Sequence, residues 1–164
     1  MAAFHSITTF VFDVDGVFTN GEVLVMENGD MLRTMSTRDG QAVRYALEAG
    51  YRVAVITKGA SKGVRKRFEY LGLTDIYDKL KDKTASYEDL LAKYHLSDGE
   101  VLYMGDDLPD LLLLKRVGFS ACPADAVIEV RETVQYISPF AGGKGCVRDV
   151  IEKTMRAQNT WPKF

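Results

Sequence analysis

Cysteine is scarce in this chain. Cys122 and Cys146 lie far apart and show no metal-ligand spacing. Their scarcity argues against a disulfide scaffold and a thiolate metal cluster, and it suits buried thiols in a reducing cytosol. A large excess of charge of one sign is also missing. A net charge of −2 leaves no electrostatic footprint for nucleic acid or a membrane surface. No apolar run approaches the ~20 residues needed to cross a bilayer. Charged residues follow the N-terminus closely, so no signal peptide is expected. Internal repeats, low-complexity tracts and interdomain linkers are absent too. What is present, over 164 residues with 46% hydrophobic and 27% charged, reads as one domain spanning 1–164, with a real core and a cytoplasmic setting.

The apolar pattern alternates strand and helix. Ile7 to Asp13 reads as the first strand. A hairpin follows over about 22–35, with Asn28-Gly29 as its turn. Asp39 is expected to cap a helix ending at Gly50, and Tyr51 to Thr57 forms the next buried strand. A helix over 61–71 stops at Gly72, and a short strand covers 76–79. Thr84 to Tyr94 places Tyr87, Leu90, Leu91 and Tyr94 on one helical face. Val101 to Gly105 is a strand, and Pro109 opens a helix running to Val117. After the strand Phe119 to Cys122, Asp125 is expected to cap a helix. A strand at 135–137, a glycine loop, a last helix over 147–156 and a tail over about 157–164 complete the chain. This order predicts an α/β fold: a doubly wound, mostly parallel, Rossmann-like sheet with a small β-hairpin flap.

In such sheets ligands gather beyond the carboxyl ends of the strands. Three strand ends here carry reactive side chains. Asp13 and Asp15 end the first strand, Thr57 ends Val53-Ala54-Val55-Ile56, and Asp106 and Asp107 follow Val101 to Gly105. Lys83 begins a helix that brings its ammonium to the same edge. Four carboxylates in one crevice repel each other strongly without a cation. Mg²⁺ suits them because it takes oxygen ligands and binds beside substrate phosphate. A metal-held carboxylate can attack phosphorus and form an aspartyl-phosphate. Lys83 supplies positive charge, Thr57 a hydroxyl donor, and Asp15 an acid placed to protonate the leaving oxygen.

The order Asp13-Val14-Asp15-Gly16-Val17, Thr57, Lys83 and Gly105-Asp106-Asp107-Leu108-Pro109-Asp110 resembles the haloacid dehalogenase-type phosphatase superfamily. The resemblance implies that Asp13 is the nucleophile and Asp15 the general acid/base. It places Mg²⁺ on Asp13, the Asp15 carbonyl and Asp106, with Asp107 in support, and phosphate on Thr57 and Lys83. The hairpin, Thr37-Arg38-Asp39-Gly40, Arg67 before Leu71-Gly72, and Gly142-Gly143-Lys144-Gly145-Cys146-Val147-Arg148 are similar to the 3-deoxy-D-manno-octulosonate 8-phosphate phosphatase family. That similarity implies a 2-keto-3-deoxy sugar acid phosphate as substrate, of eight carbons or, alternatively, nine. Arg67, Arg38 and Lys144 are then candidates for substrate contacts. The family often carries Thr-Gly-Arg where this chain has Thr57-Lys58-Gly59, so Lys58 is a candidate for the missing cation.

The stretch between Asp15 and Thr57 holds only a hairpin and one helix, and that between Lys83 and Asp106 little more than a helix. No cap domain is expected. Water exclusion would then need a neighbouring subunit or the tail. Val23, Val25, Met31 and Met35 make the hairpin apolar enough to pack on other subunits, and the family resemblance points to a homotetramer. A signalling receiver domain is the rival of another class. It also combines acids, Thr and Lys, but it places its acid pair first and lacks an acid two residues from the phosphorylated one.

Overall fold

Short buried strands alternate with helices along the chain: β1 (Thr9–Phe12), a hairpin of β2 (Leu24–Val25) and β3 (Met31–Leu32), α1 (Thr37–Glu48), β4 (Arg52–Ile56), α2 (Lys62–Leu71), β5 (Asp75–Tyr77), α3 (Lys83–Tyr94), β6 (Val101–Met104), α4 (Leu111–Leu114), β7 (Phe119–Cys122), α5 (Ile128–Thr133), β8 (Tyr136–Ile137) and α6 (Cys146–Ala157). The structure, a computed structural model, describes residues 4–163. The main sheet runs β5-β4-β1-β6-β7-β8 and every pair is parallel. The hairpin forms its own antiparallel pair, Leu24 opposite Leu32 and Val25 opposite Met31. Among the described residues, no helix is long and apolar enough to cross a membrane.

Period-two alternation explains why helices cover both faces of the sheet. Phe10 and Phe12 point to one side, where Val43, Ala46, Phe68, Val147 and Ile151 meet them. Val11 points to the other, with Tyr87, Leu90, Leu113 and Val130. Each fully buried Phe or Leu contributes about 1.5–3 kcal/mol relative to an exposed one. These two layers hold β1 at the centre of the sheet and so set where Asp13, the next residue, leaves it.

Local signals set several boundaries. Ser61 caps α2 by accepting from Val64 N at 3.3 Å, and Gly72 closes it in the left-handed conformation. Two expected caps are placed differently. Ser36, not Asp39, caps α1. Asp39 lies inside the first turn, fully buried, and its Oδ1 accepts from Arg148 N at 2.8 Å, in the first turn of α6. Asp125 does not cap α5; its Oδ1 accepts from Gly142 N at 2.9 Å and ties down the glycine loop. The helix expected from Pro109 to Val117 is a 3₁₀ turn at Leu108–Asp110 followed by the short α4. Trp161 of the tail is buried against Tyr45 of α1, ring centroids 5.4 Å apart, with the guanidinium groups of Arg148 and Arg156 over its ring. Phe164 lies outside the described residues.

Candidate active site

Sheet register carries the polar residues to one edge. Phe12 pairs with Val55 on one side and Met104 on the other. The chain then leaves the sheet at Asp13, at Thr57 just past Ile56, and at Asp106 just past Gly105. Lys83 enters from α3, whose N-cap is Asp82 accepting from Thr84 N at 3.0 Å. These groups line a cleft of about 220 Å³ with Asp15, Gly21, Lys58, Gly59, Asp107 and Pro109. Binding clefts for whole small molecules typically run to about 300–1,000 Å³. This one has room for a phosphoryl group and stays open above it.

Asp13 is nearly buried. Its Oδ1 accepts from Val14 N at 2.7 Å, and its Oδ2 faces Lys83 Nζ at 3.0 Å. Lys83 is buried too and donates to Asp110 Oδ1 at 2.6 Å. Asp110 is fully buried and saturated. Its Oδ1 also accepts from Tyr103 OH at 2.6 Å, and its Oδ2 accepts from the backbone N–H of Asp106 at 3.0 Å and Asp107 at 3.2 Å. It thus anchors both the lysine and the loop that presents Asp106.

Charge crowding defines the electrostatics. Burial and the negative charge of Asp110 push Asp13 up to about 6, against the pull of Lys83. Burial, then Asp13, Asp110 and Asp107, push Asp106 up to about 8. Lys83 is held above its usual range by the carboxylates of Asp13 and Asp110, despite its burial. Oxygen atoms of Asp13, Asp106 and Asp110 all lie within 4.8 Å of one another. Asp110 has no free lone pairs to spare, so Asp13 and Asp106 are the available donors. Two hard oxygen donors with suppressed ionisation fit a divalent cation of the Mg²⁺ type. The loop packs tightly around that spot: a Cβ on Gly16, whose φ is +83°, would fall 1.9 Å from Asp106 Oδ2.

The remaining candidates sit at the edge of this cleft or away from it. Asp107 is exposed and its Oδ1 accepts from Leu108 N at 2.7 Å, forming a reciprocal capping box with Asp110. Its carboxylate is outside the three-acid cluster. Lys58 is exposed at the rim. Arg67 packs between α1 and α2, over the Tyr70 ring and beside Gly40, and does not line the cleft. Arg38 and Lys144 line a different groove, of about 620 Å³, with Arg148, Lys153 and Arg156. Two residues that the strand-end pattern does not flag stand at the site. Arg33, beside the hairpin, donates from Nε and Nη2 to both oxygens of Asp15 at 2.9 and 3.2 Å. Tyr103 of β6 braces Asp110 from within the core.

The haloacid dehalogenase-like hydrolase family matches residues 56–148. A 3-deoxy-D-manno-octulosonate 8-phosphate phosphatase of Escherichia coli is 36% identical over 158 residues, covering 96% of this chain and 84% of that protein. The chain belongs to the haloacid dehalogenase-like hydrolases and is an enzyme. Among solved structures it is similar to the 3-deoxy-D-manno-octulosonate 8-phosphate phosphatase of Yersinia pestis, with a TM-score of 0.95 and 32% identity over 97% of this chain and 86% of that one. It is also similar to the Moraxella catarrhalis phosphatase of that name, solved with magnesium ion, phosphate ion and KDO. That TM-score is 0.93, with 30% identity over 96% of this chain and 91% of the other.

Proposed function

We propose that this protein is a Mg²⁺-dependent phosphatase that releases phosphate from 3-deoxy-D-manno-octulosonate 8-phosphate through an aspartyl-phosphate. The observation that carries this reading is the convergence of Asp13, Lys83, Thr57 and Asp106 on one cleft, in a chain similar to phosphatases of that substrate. An Asp13 oxygen attacks phosphorus while the bond to the sugar oxygen breaks. Asp15 gives its proton to the departing alkoxide. Asp15 then takes a proton from water, the water attacks phosphorus, and the Asp13–phosphate bond breaks to free inorganic phosphate. Lys83, fixed by Asp110, offsets the charge gathering at Asp13 and on the phosphoryl oxygens. The Thr57 hydroxyl donates to a phosphoryl oxygen. Asp13, Asp106 and the Asp15 carbonyl would hold Mg²⁺, with Asp107 in support, and the ion would supply positive charge to offset the phosphoryl oxygens and the carboxylates.

The small, open cleft supports a site completed by neighbouring subunits, in a homotetramer assembled through the hairpins. Substrate-acid contacts then come from Lys58 at the rim, and from Arg38, Lys144 and Arg67 only where a neighbour brings them close. The test is phosphate release with Mg²⁺ over a panel of sugar phosphates, compared by kcat/KM. The eight-carbon acid should be preferred over its nine-carbon analogue and over glucose 6-phosphate. Equal rates with glucose 6-phosphate would remove the sugar-acid assignment and leave the phosphatase one standing.

A further inference from the structure

Among the described residues, Arg33 hydrogen-bonds to the cleft through Asp15. Its Nε donates to Asp15 Oδ1 at 2.9 Å and its Nη2 to Asp15 Oδ2 at 3.2 Å. Its Nη1 donates to the carbonyl of Met31 at 2.9 Å, so the guanidinium is also fastened to the hairpin that carries it. Each nitrogen makes a hydrogen bond and the side chain is only 7% exposed, so the guanidinium is committed to Asp15 and the hairpin rather than presented to a substrate. Asp15 lines the cleft that holds Asp13. Arg33 does not line it and sits behind Asp15, in a narrow crevice formed with Val64, Phe68 and Ile76. Gly59 closes the same wall: a Cβ there would fall 2.9 Å from Asp15 Oδ2 and 3.5 Å from Arg33 Nη2. A bidentate Arg–carboxylate pair fixes the plane of the carboxylate as well as its position.

We propose that Arg33 is the positioning residue for the acid/base: its two-pronged grip orients Asp15 toward the leaving oxygen and ties that orientation to the hairpin. The proposal rests on the acid/base role proposed for Asp15. An alkoxide leaving group needs a well-aimed proton donor, whereas a phenolate departs largely without one. Misaiming Asp15 also slows the later water attack, which both substrates share, but at the leaving-group step, which kcat/KM reports, it penalises sugar phosphates selectively.

The test is a cycle of Arg33→Met, Asp15→Asn and the double variant, each measured on 3-deoxy-D-manno-octulosonate 8-phosphate and on p-nitrophenyl phosphate. Arg33→Met should lower kcat/KM on the sugar phosphate by roughly 10–100-fold and on the aryl phosphate by less than about 3-fold. In the Asp15→Asn background it should cost nothing further. Equal losses of kcat/KM on both substrates, or losses that add in full to those of Asp15→Asn, overturn the proposal and leave the acid/base role intact. If Asp15→Asn itself spares the sugar phosphate, the acid/base role falls and takes the proposal with it. Should Arg33→Met fail to fold by circular dichroism, Arg33→Lys carries the test. One ammonium cannot grip both oxygens, so the sugar-to-aryl ratio of kcat/KM must drop by at least about 3-fold; an unchanged ratio overturns the proposal.

Discussion

Asp110 holds Lys83 from behind, 2.6 Å from Oδ1 to Nζ, and this fixes the ammonium 3.0 Å from Asp13. The same carboxylate accepts from Tyr103 OH and from two backbone N–H groups. Asp110→Asn leaves one oxygen for Lys83 and Tyr103 but turns an amide donor toward the N–H groups of Asp106 and Asp107. Two donors facing donors in a buried place cost about 2–4 kcal/mol, a fall in Tm of about 5–10 °C. With Lys83 and the Asp106 loop both loosened, kcat should drop by roughly 10–100-fold. Thermal unfolding and steady-state kinetics on the same preparation check both effects. A variant with normal Tm and normal kcat would show that Asp110 anchors nothing.

Asp13 and Asp106, pushed up to about 6 and about 8, make the metal-free protein sensitive to pH. A carboxyl whose folded pKa is raised binds its proton more tightly in the native state than in the unfolded one. Stability from these groups is therefore lost as pH rises through those values. Mg²⁺ needs the carboxylates, so its stabilising effect should run the opposite way. The Tm of chelated protein should fall from about pH 4 to about pH 8, levelling off above, while the Tm increase on adding Mg²⁺ should grow over the same range. Asp106→Asn should raise the metal-free Tm at alkaline pH and abolish the Mg²⁺ shift. A Mg²⁺ shift of the same size at both pH values would place the ion elsewhere.

Much of the architecture could be read from local signals, because burial patterns and caps are local. The run Val53-Ala54-Val55-Ile56 is buried throughout and Ser61 and Gly72 bracket α2 as their chemistry dictates. Asp39 and Asp125 depart from their expected capping roles for a common reason. Both are acids just where a cap is wanted, but each accepts from backbone that folds in from far along the chain. Asp13, Thr57, Lys83 and Asp106 could be gathered at one edge from strand ends alone. Arg33 could not, because its contact with Asp15 joins a hairpin to a strand-end loop with no shared periodicity. Asp110 reads in sequence as one more acid near a helix start; its four donors converge only in the folded core. Arg38, Lys144 and Arg67 lie outside the cleft of their own subunit, and nothing local in the sequence says where such side chains point.

Burial sets a second pH effect at Asp39, whose pKa is raised by desolvation. Its Oδ1 accepts from Arg148 N in the first turn of α6, while Oδ2 is buried with no hydrogen-bond partner among the described residues. Stability from this group is also lost as pH rises through its raised pKa. Asp39→Asn keeps the acceptor and removes the buried charge, so stability at neutral pH should be unchanged or slightly higher. Asp39→Ala removes the acceptor and should cost about 1–2 kcal/mol, as for other lost caps. Urea unfolding of the two variants separates charge from cap. Equal midpoints for Asn and Ala would mean that α6 does not depend on Asp39.

Lys58 is exposed at the cleft rim, while Arg38 and Lys144 line another groove of the same chain. In an isolated subunit, Lys58→Ala should raise KM for the sugar acid phosphate by about 5–20-fold and for an aryl phosphate by less, because only the former carries a second anion. Arg38→Ala and Lys144→Ala should change neither unless the subunits assemble. Measuring KM across a range of enzyme concentrations tells these cases apart. An effect of Lys144→Ala at concentrations where the protein is monomeric would contradict the separation of the two grooves.

The hairpin exposes Leu24 by 63% and Val25 by 67%, next to Met26, Met31 and Leu32, all on one two-stranded ribbon. A ribbon of two residues per strand cannot hold itself in water, and contiguous apolar surface of this kind marks a contact site. Packing against copies of the same ribbon would bury these side chains and bring a neighbour over the open cleft. Leu24→Glu with Val25→Glu places like charges at that contact and should convert the assembly to monomers in sedimentation velocity. Turnover of the eight-carbon acid phosphate should fall by roughly 10-fold or more, while the aryl phosphate, which needs no walls beyond the phosphoryl cleft, should keep most of its rate. A wild-type protein that sediments as a monomer at micromolar concentration would refute assembly through the hairpin and would leave Lys58 as the main cation at the cleft mouth.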